Sequence, residues 1–276
     1  AQIPFLAVVT KKSKITSIKE NSSVKLYNEG VNTGDALVFN LLGKDLRKPI
    51  VKHKDITCDL QSVGYRQINK TKPVIQFALK MFNPLTRWES CDLSVLIDTN
   101  NDQIEDFELA GSMQRRLPGF RSSEYKSLLL NAELAKVIRS DFEVRSANGE
   151  SDLEEDYSTA LIDSSDMNIY NHSTIAILEV DASLLELSNS RLNVLVVAQN
   201  TDSGVIESDD YLGNSVNSWR NITLETMELP EIIKLKSKEE LKLNNINNHS
   251  VLYYPHNATT KFSTRKDLQQ DIIEFD

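Results

Sequence analysis

Val74-Ile75-Gln76-Phe77-Ala78-Leu79-Lys80-Met81-Phe82 is the stretch whose reading decides the fold. Successive side chains of an extended chain point to opposite faces. Ile75, Phe77, Leu79 and Met81 then line one face, the better core face, while Val74, Gln76, Ala78, Lys80 and Phe82 line the other. Short apolar runs of strand length recur on both sides of it, at 5–10, 23–27, 36–42, 57–63, 91–97 and 106–110, and later at 159–162, 173–180, 192–198 and 221–227. Polar turn formers separate them: Asn-Glu-Gly at 28–30, Asn-Thr-Gly at 32–34 and Asn-Pro at 83–84. This spacing belongs to a sandwich or barrel and not to alternating β–α units. The expected fold is all-β, a jelly-roll-like β-sandwich over residues 1–228 with a helical insert and a small C-terminal β element over 229–276. The insert is expected over 122–142, where Tyr125, Leu128, Leu129, Ala132, Leu134, Ala135 and Ile138 stand closer to helical spacing, with Ser122 or Ser123 as cap. The C-terminal element draws on runs at 232–235, 251–254 and 272–275, and the acidic stretch 146–156 reads as a solvated loop.

Composition narrows the function. The chain has 276 residues, 40% hydrophobic and 26% charged, with a net charge of −9 and a pI near 5.1. A nucleic-acid partner needs a basic surface to release counterions, and no Lys/Arg stripe interleaved with aromatics occurs. The acidity fits either plain solubility or cation binding. No apolar run approaches the ~20 residues that span a bilayer, so no membrane helix is expected. The chain opens Ala1-Gln2-Ile3-Pro4, without Met or a basic-then-apolar leader, as a processed or excised piece of a longer protein would. Two cysteines, Cys58 and Cys91, are compatible with one disulfide without demanding it.

Catalytic patterns are lacking in the sequence. The four histidines, His53, His172, His249 and His256, form neither HExxH nor HxH, and no CxxC occurs. The nearest imitation of a nucleophile elbow, Gly149-Glu150-Ser151-Asp152-Leu153, lacks its second glycine. The nine glycines form no phosphate cradle, and the histidines read as structural or exposed. Six N-x-[S/T] sequons begin at Asn21, Asn69, Asn171, Asn221, Asn248 and Asn257, markers of glycosylation only in a eukaryotic source.

One segment carries chemistry: Asp98-Thr99-Asn100-Asn101-Asp102-Gln103-Ile104-Glu105-Asp106. Side-chain oxygens of Asp98, Asn100, Asp102 and Asp106 fall at relative positions 1, 3, 5 and 9, and the Ile104 carbonyl stands at 7. That order suits a loop folding hard oxygens around one Ca²⁺ at roughly 2.3–2.6 Å. It is not an EF-hand, since no Glu stands at position 12. Such loops place glycine at position 6, where the backbone needs a positive φ. Gln103 stands there instead, a departure costing about 1 kcal/mol. The flanking runs read as strands, so the loop joins a hairpin, and the residues alone leave a Ca²⁺ site and a plain acidic turn equally open.

The residues around this loop resemble a family. Asp59-Leu60-Gln61-Ser62-Val63-Gly64-Tyr65-Arg66, then Val74-Ile75-Gln76-Phe77-Ala78, then Cys91-Asp92-Leu93-Ser94-Val95-Leu96-Ile97-Asp98-Thr99-Asn100 with Asp102 and Asp106, are similar to a pattern "DLKSVGVR … VQFAI … FDIYIDTNxDGxxDY". That pattern belongs to a bacterial module that follows the catalytic domain in secreted subtilisin-like (S8 family) serine proteases. Ile3-Pro4-Phe5-Leu6, the segments 24–30 and 35–39, Leu161-Ile162-Asp163-Ser164-Ser165-Asp166-Met167-Asn168 and Ala182-Ser183-Leu184-Leu185 resemble further family segments in the same order, covering roughly 3–226. The missing glycine at 103, the longer insert at 111–150 and the two cysteines depart from the pattern.

The resemblance implies an extracellular or cell-surface, non-catalytic all-β region. Its partner would be an upstream catalytic domain of the same polypeptide, which carries the Ser-His-Asp triad, and its work would be to stabilise, fold or target that protease, including to a surface or polymeric substrate. It adds weight to Ca²⁺ at Asp98, Asn100, Asp102, Ile104 and Asp106. Family order also makes the strands opened by Cys58 and Cys91 neighbours, which implies a Cys58–Cys91 disulfide in an oxidising compartment. The alternative is a carbohydrate- or surface-binding or adhesion module of another extracellular protein, for which Trp88, Trp219 or the Tyr253-Tyr254 pair would form an exposed aromatic platform.

Overall fold

The structure, a computed structural model, describes residues 13–20, 23–47, 58–83, 91–113, 125–150, 156–169, 173–187, 189–200, 210–213, 218–244, 246, 249–257 and 269–274. The expected run at 5–10 and residues 151–155 of the acidic stretch lie outside them. The described chain is all-β and sandwich-like, with one helix. In chain order the strands are β1 (Ile15–Glu20), β2 (Ser23–Asn28), β3 (Gly34–Lys44), β4 (Leu60–Asn69), β5 (Pro73–Met81), β6 (Cys91–Asp98), β7 (Phe107–Met113) and β8 (Tyr125–Asn131). After the helix α1 (Ala132–Ala147) come β9 (Leu161–Asp166), β10 (Asn168–Ile169), β11 (Ile175–Asp181), β12 (Arg191–Asn200), β13 (Asp210–Tyr211) and β14 (Arg220–Thr223). The last are β15 (Ile233–Leu235), β16 (Glu240–Asn244), β17 (Ser250–Tyr253) and β18 (Gln270–Ile273).

The chain divides into two compact units, Ala1–Val38 with Pro230–Asp276, and Phe39–Leu229. Composition had grouped 1–228 and 229–276. The difference lies in strand pairing between distant parts of the chain: β2 pairs with β16 as well as β1, and Gly34, Asp35 and Ala36 pair with β15. No local pattern announces such a pairing.

In the larger unit, one antiparallel sheet runs from the second half of β3 through β4, β5 and β11 to β10. The other runs β13-β12-β6-β7-β8-β9, with β14 beside β12. Between them lies the core: Ile75, Phe77, Leu79 and Met81 from β5, Leu93, Val95 and Ile97 from β6, and Leu192, Val194 and Val196 from β12, all buried. The alternation in 74–82 is therefore realised as read. A bulge in β4 between Leu60 and Ser62 shifts its period by one, so Leu60 and Val63, three residues apart, both reach this core.

The opposite face of β5 is buried too, and its polar groups are paired. Arg66 Nε donates to Gln76 Oε1 (2.8 Å), Gln76 Nε2 donates to Glu179 Oε2 (2.8 Å), and the Arg66 guanidinium lies 4.2 Å from the centre of the Phe39 ring. Lys80 Nζ donates to Gln61 Oε1 (2.9 Å) and to the Met81 carbonyl (2.8 Å). Unpaired, these groups would each cost kilocalories in such a site.

The helical insert begins later than expected. Residues 125–131 pair with β7 on one side and β9 on the other. Leu129 enters the inter-sheet core, while Leu128 and Leu130 pack beneath α1 with Ala135, Tyr157 and Ala160. The Leu-Leu-Leu run suits helix or strand locally, and burial on both faces selects the strand. Asn131 then caps α1, its side-chain oxygen accepting from Leu134 N (3.0 Å).

In the smaller unit β1, β2 and β16 form one sheet, and β15, the start of β3, β17 and β18 are its other strands. Strands β1 and β16, which the apolar runs did not mark, expose Ile18 and Leu241 and bury few side chains. Buried Asn28 holds four backbone groups at once. Its oxygen accepts from Lys14 N (3.2 Å) and Gly30 N (2.9 Å), and its amide donates to the carbonyls of Asn32 (2.8 Å) and Leu235 (3.0 Å). A Cβ at Gly30 would stand 2.6 Å from Lys14 N, so the turn requires glycine for space. Replacing Asn28 by Ala strands two N–H and two C=O groups, and the expected loss is about 2–4 kcal/mol. The midpoint of urea unfolding measures it; an unchanged midpoint would show that the knot contributes nothing.

Candidate functional site: the acidic hairpin

Strand β6 alternates inward Leu93, Val95 and Ile97 with outward, half-buried Asp92, Ser94 and Leu96. Asp98 closes the strand, and Asp106 N donates to Ile97 O (2.9 Å) to shut the hairpin onto β7. The loop curls by side-chain-to-backbone bonds at alternate residues. Asp98 Oδ1 accepts from Asn100 N (3.1 Å) and Asn101 N (2.6 Å), Asn100 Oδ1 from Asp102 N (2.9 Å), and Asp102 Oδ1 from Ile104 N (2.8 Å). Asp98 Oδ2 accepts from Gln103 N (2.8 Å). Asp106 Oδ2 accepts from Thr99 N (2.8 Å) and Thr99 Oγ1 (2.7 Å). Gln103 holds φ +65° and Asn101 φ +66°, the left-handed conformation that costs a β-carbon.

Strand register adds two residues that the sequence reading did not place at this loop. Asn193 on β12 pairs with Asp98 on one side and with Asn221 on β14 on the other. Asn193 Nδ2 donates to Asp98 Oδ2 (3.0 Å). Asn221 Nδ2 donates to Asn193 Oδ1 (3.0 Å) and to Asn101 Oδ1 (3.3 Å). The row Asp98–Asn193–Asn221 thus crosses three strands and returns to the loop. The only sequence signal for Asn221 was its place in a sequon, which carries no such meaning.

Asp98 is fully buried. Burial raises its pKa, but the bonds from Asn193, Gln103, Asn101 and Asn100 outweigh it and hold the carboxyl below the ordinary range. Among the described residues no Lys, Arg or His forms an ion pair with Asp98, Asp102 or Asp106, whereas Glu105 is paired with Lys136 of α1 (2.7 Å). The loop offers hard oxygens, the class of donor that Ca²⁺ takes, and among the described residues its buried Asp98 has no basic partner. Asp98, Asn100, Asp102 and Asp106 share one loop, with Asn100, Asp102 and Ile104 exposed. Among the described residues no three His, Cys, Asp or Glu side chains converge on one point. Four N–H donors already meet the Asp98 oxygens, so an ion there would share them.

The other candidates fall elsewhere. Cys58, just before β4, and Cys91, which opens β6, are buried in the core of the larger unit and joined in a disulfide, Cα atoms 5.6 Å apart. The bond ties its two sheets together. His256 Nε2 lies 3.1 Å from Asp35 Oδ2, and His53 and His172 lie outside the described residues. Tyr253 and Tyr254 are buried, Trp219 is half-buried, and Trp88 lies outside the described residues, so the Tyr pair offers no exposed platform. Of the sequons, Asn69 and Asn221 are exposed, Asn257 is buried with its amide donating to Ile15 O (2.8 Å), and Asn21, Asn171 and Asn248 lie outside the described residues. No described helix is long and apolar enough to cross a membrane. No protein family model matches the chain, nor does any curated protein or solved structure.

The disulfide closes a loop between residues 33 apart in sequence, worth about 4 kcal/mol in the chain-entropy account. Thiol titration of the unfolded, unreduced protein is expected to find no free thiol, and two would refute the bond. The depressed Asp98 pKa also carries a sign. Its stabilisation is fully present above the unfolded-state value of about 3.9 and is lost as pH falls through the lower folded-state value. Asp98→Asn is therefore expected to cost about 1–3 kcal/mol at neutral pH and to flatten the acid limb below about pH 4. An unaltered acid limb in chemical denaturation would remove Asp98 from that role.

Proposed function

We propose that this chain is a non-catalytic accessory region of a secreted subtilisin-like serine protease, and that its acidic hairpin binds one Ca²⁺. The reading rests on the segments that resemble the protease-associated module, and one observation carries it. At the place where the family pattern has glycine, Gln103 keeps φ +65°, so the chain retains the backbone of the pattern although the residue that favours it is gone. The resembling segments 59–66, 74–78 and 91–98 also fall on β4, β5 and β6, strands of one sandwich-like unit.

In this reading the region serves an upstream catalytic domain of the same polypeptide outside the cell, stabilising it, assisting its folding or holding it to a surface or polymeric substrate. Asp98, Asn100, Asp102, Asp106 and the Ile104 carbonyl would hold the ion. Bound Ca²⁺ would supply positive charge against three carboxylates. The chain's own part is to curl the loop through its alternate side-chain bonds and to fix Asp98 through Asn193. A hairpin stiffened at its tip would present a fixed surface to the catalytic domain.

Two measurements test the two halves of the proposal. If Ca²⁺ binds only the folded hairpin, stability rises as RT ln(1 + [L]/Kd), about 2.7 kcal/mol at a hundredfold excess over Kd. Asp102→Ala, at an exposed position, is expected to abolish that gain with little change in metal-free stability. A wild-type melting temperature indifferent to both EDTA and millimolar Ca²⁺ would leave an acidic turn and no site. Separately, the isolated chain is expected not to react with a fluorophosphonate probe, because nucleophilic serine needs a base within hydrogen-bond reach and an oxyanion site. Stoichiometric labelling that heat denaturation abolishes would overturn the accessory reading.

A further inference from the structure

We draw no further inference here: the strongest candidate, the side-chain row Asp98–Asn193–Asn221 at the β6–β7 hairpin, belongs to the site already described.

Discussion

Burial of alternate side chains between the two sheets of the larger unit is the constraint on which its other features depend. Ile75, Phe77, Leu79 and Met81 on one side and Leu93, Val95 and Ile97 on the other leave water almost completely. Each such side chain contributes about 1.5–3 kcal/mol on burial. A slip of one residue in β5 or β6 would exchange the apolar set for Gln76 and Lys80, or for Asp92 and Ser94. Register is thereby fixed, and with it the position of every residue at the strand ends.

The hairpin inherits its geometry from that register. Once Ile97 faces the core, Asp98 must face the other way, level with Asn193 and, one strand further, Asn221. The carboxylate therefore meets an amide donor from a neighbouring strand as well as three backbone N–H groups from its own loop. These bonds hold the Asp98 pKa below the ordinary range although burial alone would raise it. They also hold Gln103 and Asn101 in the left-handed region, where side chains are strained.

The faces turned away from the core follow a different physics. Beneath α1, buried Glu108 accepts two bonds from Arg139 (3.1 and 2.7 Å) and one from Ser94 Oγ (2.8 Å), which ties the helix to the start of β7. Burial lowers the Arg139 pKa, but the contact with Glu108 outweighs it and holds the guanidinium above its ordinary value. Past Phe142 the last turns of α1 lie in solvent, carrying Val144 exposed. In the smaller unit an exposed network of Lys25 with Glu20 (3.6 Å) and Glu240 (3.0 Å), and of Lys242 with Glu20 (3.2 Å), relieves the cross-strand pair Lys25–Lys242. Exposed pairs of this kind add little individually.

The sequence by itself determined the all-β class and the core face of β5, because period-2 alternation is a local property that any inter-sheet core must satisfy. It also named the side chains of the acidic loop, since their order is written along nine consecutive residues, and it marked position 103 as the place of backbone strain. Tertiary structure decided the rest. The boundary between β8 and α1 depends on pairing with β7 and β9, which the run Leu128-Leu129-Leu130 does not encode. The place of β2 beside β16 depends on a pairing across more than two hundred residues. Asn193 and Asn221 join Asp98 only because register sets the three side by side, about 95 and 28 residues apart along the chain. Local patterns fix which way a side chain faces; the residue it faces is fixed by the long-range pairing of strands.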